Sequence, residues 1–291
     1  MSKDFSNTNL RKTSFRNEDL SHVSFSHSDL RGVDFSNADL SGANLTHVRT
    51  GITPVNTVLI FIVALLLSLL SGYVAMLGGR AIQVLLRSGN KNLIFCGWFG
   101  VVSIVLFIIY SYWKGVGNAI RKMIIPVSVI VMLLGIVSLI VGVGNGKGAI
   151  YIVLSFVLVV VMFIVGTIAR VAAGAVSGII FLVVAVAGSV FGRSVGGEIG
   201  TIVMAISCAV ISKKALKNTE GFELLRNIAS FITRRFGTSF RNSKLETADF
   251  SGSKITNADF SNADISRVNW GNSSRINSIT STNVFAKTSL S

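Results

Sequence analysis

Every fifth residue of the first 45 is a large apolar side chain, with Phe and Leu taking turns: Phe5, Leu10, Phe15, Leu20, Phe25, Leu30, Phe35, Leu40, then Leu45. The same period returns at Phe240, Leu245, Phe250, Ile255, Phe260, Ile265 and Trp270. Call the large residue i. Position i−2 is small or β-branched at Thr8, Thr13, Val23, Val33, Ala38 and Ala43, and again at Ala248, Ala258, Ala263 and Val268. Position i−1 is Asp, Asn or Ser almost throughout. Two-residue alternation puts i−2 and i on one side of an extended segment and turns i−1 and i+1 to water. An odd repeat length sustains that alternation only if a corner resets the side-chain direction once per repeat. Position i+2 supplies turn-tolerant residues for it, among them Asn7, Gly32, Asn37, Gly42, Gly252 and Asn262. Short strand and corner in alternation make a coiled solenoid with its apolar residues stacked inside.

The segments Ala-Asp-Leu-Ser-Gly at 38–42, Ala-Asn-Leu-Thr at 43–46 and Ala-Asp-Phe-Ser-Asn at 258–262 resemble the pentapeptide-repeat family. The resemblance implies a right-handed quadrilateral β-helix with four pentads per coil, so that residues 20 apart stack: Phe5 under Phe25, Leu10 under Leu30, Phe15 under Phe35, Phe240 under Phe260, Leu245 under Ile265, Phe250 under Trp270. Past Trp270 the register fails at Arg275, Ile279 and Val284 could resume it only in a shifted phase, and residues 273–291 are expected to fray or cap.

At four pentads per coil, the block at 1–50 makes two and a quarter coils and the block at 237–272 one and three-quarters. Solenoids need about three stacked units before burial outweighs chain entropy. The two blocks are therefore expected to stack into one composite coil, meeting at their Leu45 and Phe240 ends, each covering an open edge of the other. Two separate short solenoids capped by partner chains are the rival arrangement.

Residues 51–212 read as membrane. The chain is 51% hydrophobic and 14% charged, far from a soluble mixture. Apolar runs of spanning length lie at 54–78, 93–113, 123–143, 149–169 and 171–192, with a marginal sixth at 195–212 that carries Glu198 near its start. Basic residues punctuate them, with Arg170 and Arg193 read as loop residues. The expected fold is mixed: an α-helical transmembrane bundle, six helices favoured, inserted between two halves of a quadrilateral β-helix. Four crossings followed by a re-entrant hairpin between 171 and 211 is the alternative. A composite coil needs an even number of crossings, and the polar N-terminus places both termini in the cytosol, at a bacterial plasma membrane or a thylakoid.

The formal charge of +14 is unevenly distributed. Residues 1–53 are neutral, with six basic and six acidic groups, and the excess lies in short loops and after the last span. That pattern suits anionic head groups, makes no basic face on a soluble domain, and argues against a nucleic-acid partner. Residues 213–236 carry Lys213, Lys214, Lys217, Arg226, Arg234 and Arg235 beside helically spaced Phe222, Leu225, Ile228, Ala229, Ile232 and Phe236, the pattern of a basic amphipathic interfacial helix at lipid head groups. The order of features across the whole chain, with Leu69-Leu70-Ser71-Gly72 and Gly237-Thr238-Ser239-Phe240-Arg241, is similar to membrane pentapeptide-repeat proteins abundant in cyanobacteria, a resemblance that implies no defined molecular activity.

Small residues one turn apart at Gly174 and Gly178, and at Gly192, Gly196 and Gly200, allow close helix packing within the chain or self-association into a homo-oligomer. Arg170, Arg193 and Glu198 are the candidate intramembrane polar site. Cys96 and Cys208 fall in apolar runs and make no disulfide framework. His22, His27 and His47 occupy corners and complete no metal site; no catalytic constellation, metal or cofactor is expected. Two functions follow as expectations: a non-enzymatic membrane scaffold presenting a small cytosolic β-helix to a protein partner, or a homo-oligomeric channel or transporter. DNA mimicry, an activity the resemblance also implies, needs a long acidic surface that a neutral first block lacks.

Overall fold

The computed structural model describes residues 4–141, 147–194, 199–216, 222–276, 278–280 and 288–289. It forms two compact units, one of residues 1–60, 216–218 and 226–291 and the other of 61–215 and 219–225.

The first unit holds the repeats. Every i+2 residue from Asn7 to His47 and from Asn242 to Asn272 has a left-handed backbone, with φ between +44° and +72°. At Lys12, Thr247 and Arg267 the corner imposes this on side chains with no turn preference, at roughly 1–2 kcal/mol each. Parallel bridges join residues 20 apart: Asp4 to Ser24, Asn9 to Asp29, Ser14 to Asp34 and Asp19 to Asp39. The chain therefore winds through four rows in fixed order. Row A carries Phe5, Phe25 and Leu45; row B Leu10, Leu30 and Thr50; row C Phe15 and Phe35; row D Leu20 and Leu40. Because Phe and Leu alternate along an even number of rows, Phe lands on Phe and Leu on Leu as far as Leu40, and Leu45, which breaks the alternation, lands on Phe25. Phe5 stacks on Phe25 with ring centroids 5.3 Å apart, and Phe15 on Phe35 at 5.4 Å. Inside the coil Leu20, Phe25, Leu30, Phe35, Leu40, Leu45, Phe240, Leu245, Phe250 and Ile255 are fully buried, while Phe5, Leu10, Ile265 and Trp270 at its ends are partly so.

The two repeat blocks share a turn. Row C passes from Phe35 to Phe240 and row D from Leu40 to Leu245, whereas row A passes from Leu45 to Phe250 and row B from Thr50 to Ile255. Phe35 N–H donates to Ser239 O at 2.8 Å, and the Phe35 and Phe240 rings stack at 5.2 Å. A corner asparagine crosses the same seam, Asn242 Nδ2 donating to Asn37 Oδ1, and Asn37 Nδ2 continues the ladder to Asn17 Oδ1 within the first block. A meeting of the Leu45 and Phe240 ends is thus corrected. Apolar residues end the first block at Leu45, but Thr50 is a tenth pentad with a polar side chain in the inward place. It is tolerated there because its hydroxyl donates to Thr256 O and accepts from Thr256 N–H, so no buried polar atom is left unpaired.

The ladder also continues into the segment expected to fray or cap. Strand β2 (Lys254–Thr256) pairs in parallel with β4 (Ser274–Ile276), and β3 (Ala258–Phe260), itself paired with β1 (Thr238–Ser239), pairs with β5 (Ile279–Thr280). Arg275 keeps the register because its guanidinium lies 4.4 Å from the Trp270 ring centroid, a cation–π contact that suits a cation to an inward place. Val284 lies outside the described residues.

The second unit is helical. Helix α1 is Pro54–Leu86 and α2 Lys91–Lys114; α3 (Val116–Ala119), a π-helical turn (Ile120–Ile124) and α4 (Ile125–Ile140) form one continuous rod; α5 is Lys147–Val176, α6 Gly178–Ser194, α7 Ile199–Leu216 and α8 Glu223–Phe236. The first seven residues of α1 and the part of α8 from Arg226 on belong to the first unit. Four rods are long and apolar enough to cross a membrane, namely Pro54–Leu86, Lys91–Lys114, Val116–Ile140 and Gly148–Val176, and Gly178–Ser194 is a shorter apolar helix. Their outward residues are large and apolar, as at Phe95, Trp98, Leu134 and Ile140.

Two boundaries differ from the sequence reading. Arg80 lies within α1, and Arg170, expected in a loop between spans, lies inside α5. The break between α5 and α6 comes at Ser177 instead. A charge marks a loop only if it must reach water; Arg170 is 1% exposed and donates from Nη1 to Gly166 O at 2.9 Å, with Ala185 O 3.4 Å from Nη2, so helix continuity survives it.

Candidate interaction surface

The outer face of the coil is built by the i−1 and i+1 residues. At most turns the i−1 carboxylate or amide accepts from the backbone of i+1 and, where that residue is Ser or Thr, from its hydroxyl: Ser21 on Asp19, Ser41 on Asp39, Thr46 on Asn44, Ser261 on Asp259, Ser266 on Asp264. These bonds hold the carboxyls of Asp4, Asp19, Asp39 and Asp264 below their usual range, the serine hydroxyl being the largest cause. The Asp ladder is a row of corner fasteners.

Winding sorts charge by row. Row B gathers Arg11, Lys12, Arg31, Arg49 and Lys254 on its outer side against the single carboxylate Asp29. Row D gathers Asp19, Asp39, Glu246 and Asp264 against Lys244 and Arg267. The rows follow in the order A, B, C, D, so B and D are never neighbours and the coil is electrically two-sided. This corrects the expectation that the excess charge forms no basic face: summing a block along the chain cancels groups that a 20-residue stacking period places on opposite sides.

Within row B, Asp29 is clamped by two guanidinium groups. Arg31 donates from Nε and Nη2 at 2.9 and 2.6 Å, and Arg11 from Nε at 2.8 Å. Burial raises the Asp29 carboxyl, but hydrogen bonds from Arg31 and Arg11 outweigh it and hold the group well below the usual carboxylate range. Lys12, Arg49 and Lys254 have no acidic partner among the described residues.

A second polar cluster marks where the chain leaves and rejoins the coil. Gly51, at φ +129°, opens out from the row after Thr50 and sends the chain through Ile52 and Thr53 to Pro54. The chain returns through Gly237. Thr238, fully buried, accepts from Gly51 N–H at 2.9 Å and donates to Leu30 O at 2.8 Å, tying the outgoing and returning crossings to one rung. A Cβ at Gly237 would meet Asn257 O. Beside it Asp259, also fully buried, has Arg234 and Arg241 each 3.8 Å from Oδ2. Sequence pattern hid this doorway, because Thr238 and Asn257 look like ordinary pentad residues.

Of the basic residues expected at lipid head groups, Arg234 faces Asp259 instead, and Lys214 Nζ donates to Tyr112 O at 2.8 Å while lying over that ring. Local partners hold both side chains. Lys213, Arg226 and Arg235 lie on α7 and α8; Lys217 is outside the described residues.

In the helical unit, buried hydroxyls satisfy main-chain carbonyls, Ser68 on Val184, Ser71 on Met162, Thr167 on Phe163 and Ser212 on Cys208, while the Arg170 guanidinium takes Gly166 O and Ala185 O. Arg193 is exposed at the end of α6, and Glu198 lies outside the described residues. The close helix approach is between α1 and α6, where Cβ atoms at Gly72 and Gly188 would meet Gly188 O and Ser68. Gly192 takes part in it; Gly178 faces open space, Gly174 is half-buried in α5, Gly200 lies in α7, and Gly196 is outside the described residues. No group of three or more His, Cys, Asp or Glu that could hold a metal occurs among the described residues. A cleft of about 550 Å³ between α2, α4 and α5 is mostly apolar, with Asn90 and Asn92 at one end.

A family model described as pentapeptide repeats matches eight copies, over residues 4–37, 19–49 and 236–269. No curated protein and no solved structure matches the chain at a significant level.

Proposed function

For a chain that belongs to the pentapeptide-repeat family, we propose a non-enzymatic, membrane-anchored scaffold whose right-handed quadrilateral β-helix presents flat faces to a protein partner in the cytosol. The repeats suggest a scaffold and imply a β-helix, and the four long apolar helices are compatible with a membrane protein. The observation that carries the proposal is the shared turn. Phe35 N–H donates to Ser239 O across the whole helical insertion, so the two repeat blocks close into one coil that is joined to the helices by two covalent crossings. Two covalent connections restrict how far the coil can tumble, which suits a surface held for docking. Head groups of the surrounding bilayer meet the basic residues that flank the helices, both termini remain in the cytosol, and Gly178, with nothing within 4 Å, leaves a small-residue position open to self-association.

Purified full-length protein reconstituted in liposomes tests this against the channel or transporter reading. The scaffold predicts no solute or ion flux above empty liposomes, together with protease cleavage of both terminal segments from the same side. Flux that tracks protein content and is lost in Arg170→Met would overturn it.

A further inference from the structure

We propose that row B is a docking face for anionic phospholipid head groups, a role that rests on the membrane-anchored reading and names the surface that meets the lipid. The occupant is set by charge and by reach. Arg11, Lys12, Arg31, Arg49 and Lys254 lie along one row with only Asp29 among them, and Asp29 is already shared by Arg11 and Arg31. Lys12, Arg49 and Lys254 keep their charge available, having no acidic partner among the described residues. Reach decides between a lipid surface and other polyanions. The chain leaves the coil from row B itself: Arg49 stands five residues before Pro54, the first residue of the first apolar rod. Even fully extended, that link spans at most about 18 Å. The tether holds the near end of row B within about two screening lengths of the start of the first apolar rod, a screening length being about 8–10 Å, so the anchor that brings the chain to a charged leaflet brings these cations with it. An acidic peptide or a nucleic acid would have to be recruited from solution; the leaflet is present wherever the anchor is. Row D carries the opposite charge, so an anionic surface attracts one side of the coil and repels the other.

The Asp29 clamp has a part in this face. A carboxylate bridging Arg11 and Arg31 fixes the two planar groups side by side without cancelling their summed charge, preorganising donors for phosphate oxygens.

The test uses the full chain in nanodiscs of phosphatidylcholine with or without phosphatidylglycerol, each containing a lipid with a nitroxide quencher on its head group. In a Cys96→Ser, Cys208→Ala background, a fluorophore is placed at Asn9→Cys on row B or at Ser266→Cys on row D, both exposed positions. Quenching of the row B label that requires phosphatidylglycerol and weakens with salt is expected, with the row D label unaffected. The triple variant Lys12→Gln, Arg49→Gln, Lys254→Gln should weaken docking on the order of 100-fold, from about fivefold for each cation removed. Lys12→Arg, Arg49→Lys, Lys254→Arg keeps the charge and should keep the quenching, which separates loss of docking from loss of fold. Quenching that ignores phosphatidylglycerol, that persists in the glutamine variant, or that is equal at both labels overturns the proposal. So does energy transfer between labelled copies that replaces lipid quenching, since row B would then face row D of a second copy. A chain that fails to enter nanodiscs defeats the membrane-anchored reading; one that enters without lipid-dependent quenching defeats only this face.

Discussion

Thr238 does more than its place in a pentad suggests. Its hydroxyl is both acceptor for Gly51 N–H and donor to Leu30 O, in a site closed to water. Thr238→Val keeps the shape and removes both bonds, leaving a buried donor and a buried acceptor unpaired; a loss of about 1–3 kcal/mol for the coil, read by urea unfolding of the repeat unit, is expected. Asp29 sets a different kind of sensitivity. Its folded carboxyl lies below its unfolded range, so its contribution is present above about pH 4, the ordinary carboxylate value, and is lost as pH falls through the folded value. Thermal midpoints measured from neutrality downward should therefore hold until about pH 4 and then fall, and Asp29→Asn should begin lower at neutrality and decline less steeply. At this scale sequence reading was strongest for inward residues such as Phe25 and Leu40, whose chemistry leaves them one place to go. It missed Thr50, since a hydroxyl in an apolar row is acceptable only when a partner such as Thr256 is known.

Among the elements, α5 shows how a helix can outrun its apolar pattern. Its run continues past Arg170 because carbonyls of Gly166 and Ala185 receive the guanidinium inside the bundle. Replacing an interior charge by an apolar residue of similar length is often neutral or stabilising, while truncating it opens a cavity. Arg170→Met should accordingly leave the melting of the detergent-solubilised protein near the parent value, and Arg170→Ala should lower it by about 2–5 kcal/mol of stability. Glycines sort in the same way. A methyl at Gly188 would collide with Ser68, so Gly188→Ala should cost about 1–3 kcal/mol through overpacking of α1 on α6, whereas Gly178→Ala, with nothing within 4 Å, should be silent in the same melting assay. Spacing alone puts Gly178 on the same footing as Gly192; only the facing helix tells that Gly192 is approached and Gly178 is not.

The molecule as a whole is a coil interrupted once, and the interruption keeps register. Joining Thr50 directly to Phe236 would put Phe240 five residues after Thr50, the step made everywhere else in the coil. Phe236 would take the outward i+1 place, Gly237 the corner, and Thr238 and Ser239 the i−2 and i−1 places of the next pentad. A chain lacking residues 51–235 should therefore express in soluble form as a continuous coil with parallel-β circular dichroism and cooperative unfolding. Aggregation or a non-cooperative transition would show instead that the helical insertion is needed to align the two blocks.

Periodicity by itself determined that the repeats coil, because a five-residue repeat with one corner each leaves an apolar side chain no alternative to the inside; the twenty-residue step of the coil came from the resemblance to pentapeptide repeats, and hydropathy determined that long apolar helices divide the repeats. Three things waited for the tertiary structure. Which pentad meets which across the insertion depends on hydrogen bonds between residues about 205 apart, as from Phe35 to Ser239, which no local pattern encodes. Whether a polar residue can stand inward depends on its partner. Charge per face depends on stacking: the first 53 residues balance along the chain, and only coiling brings Arg11, Arg31 and Arg49 to one side and Asp19 and Asp39 to another.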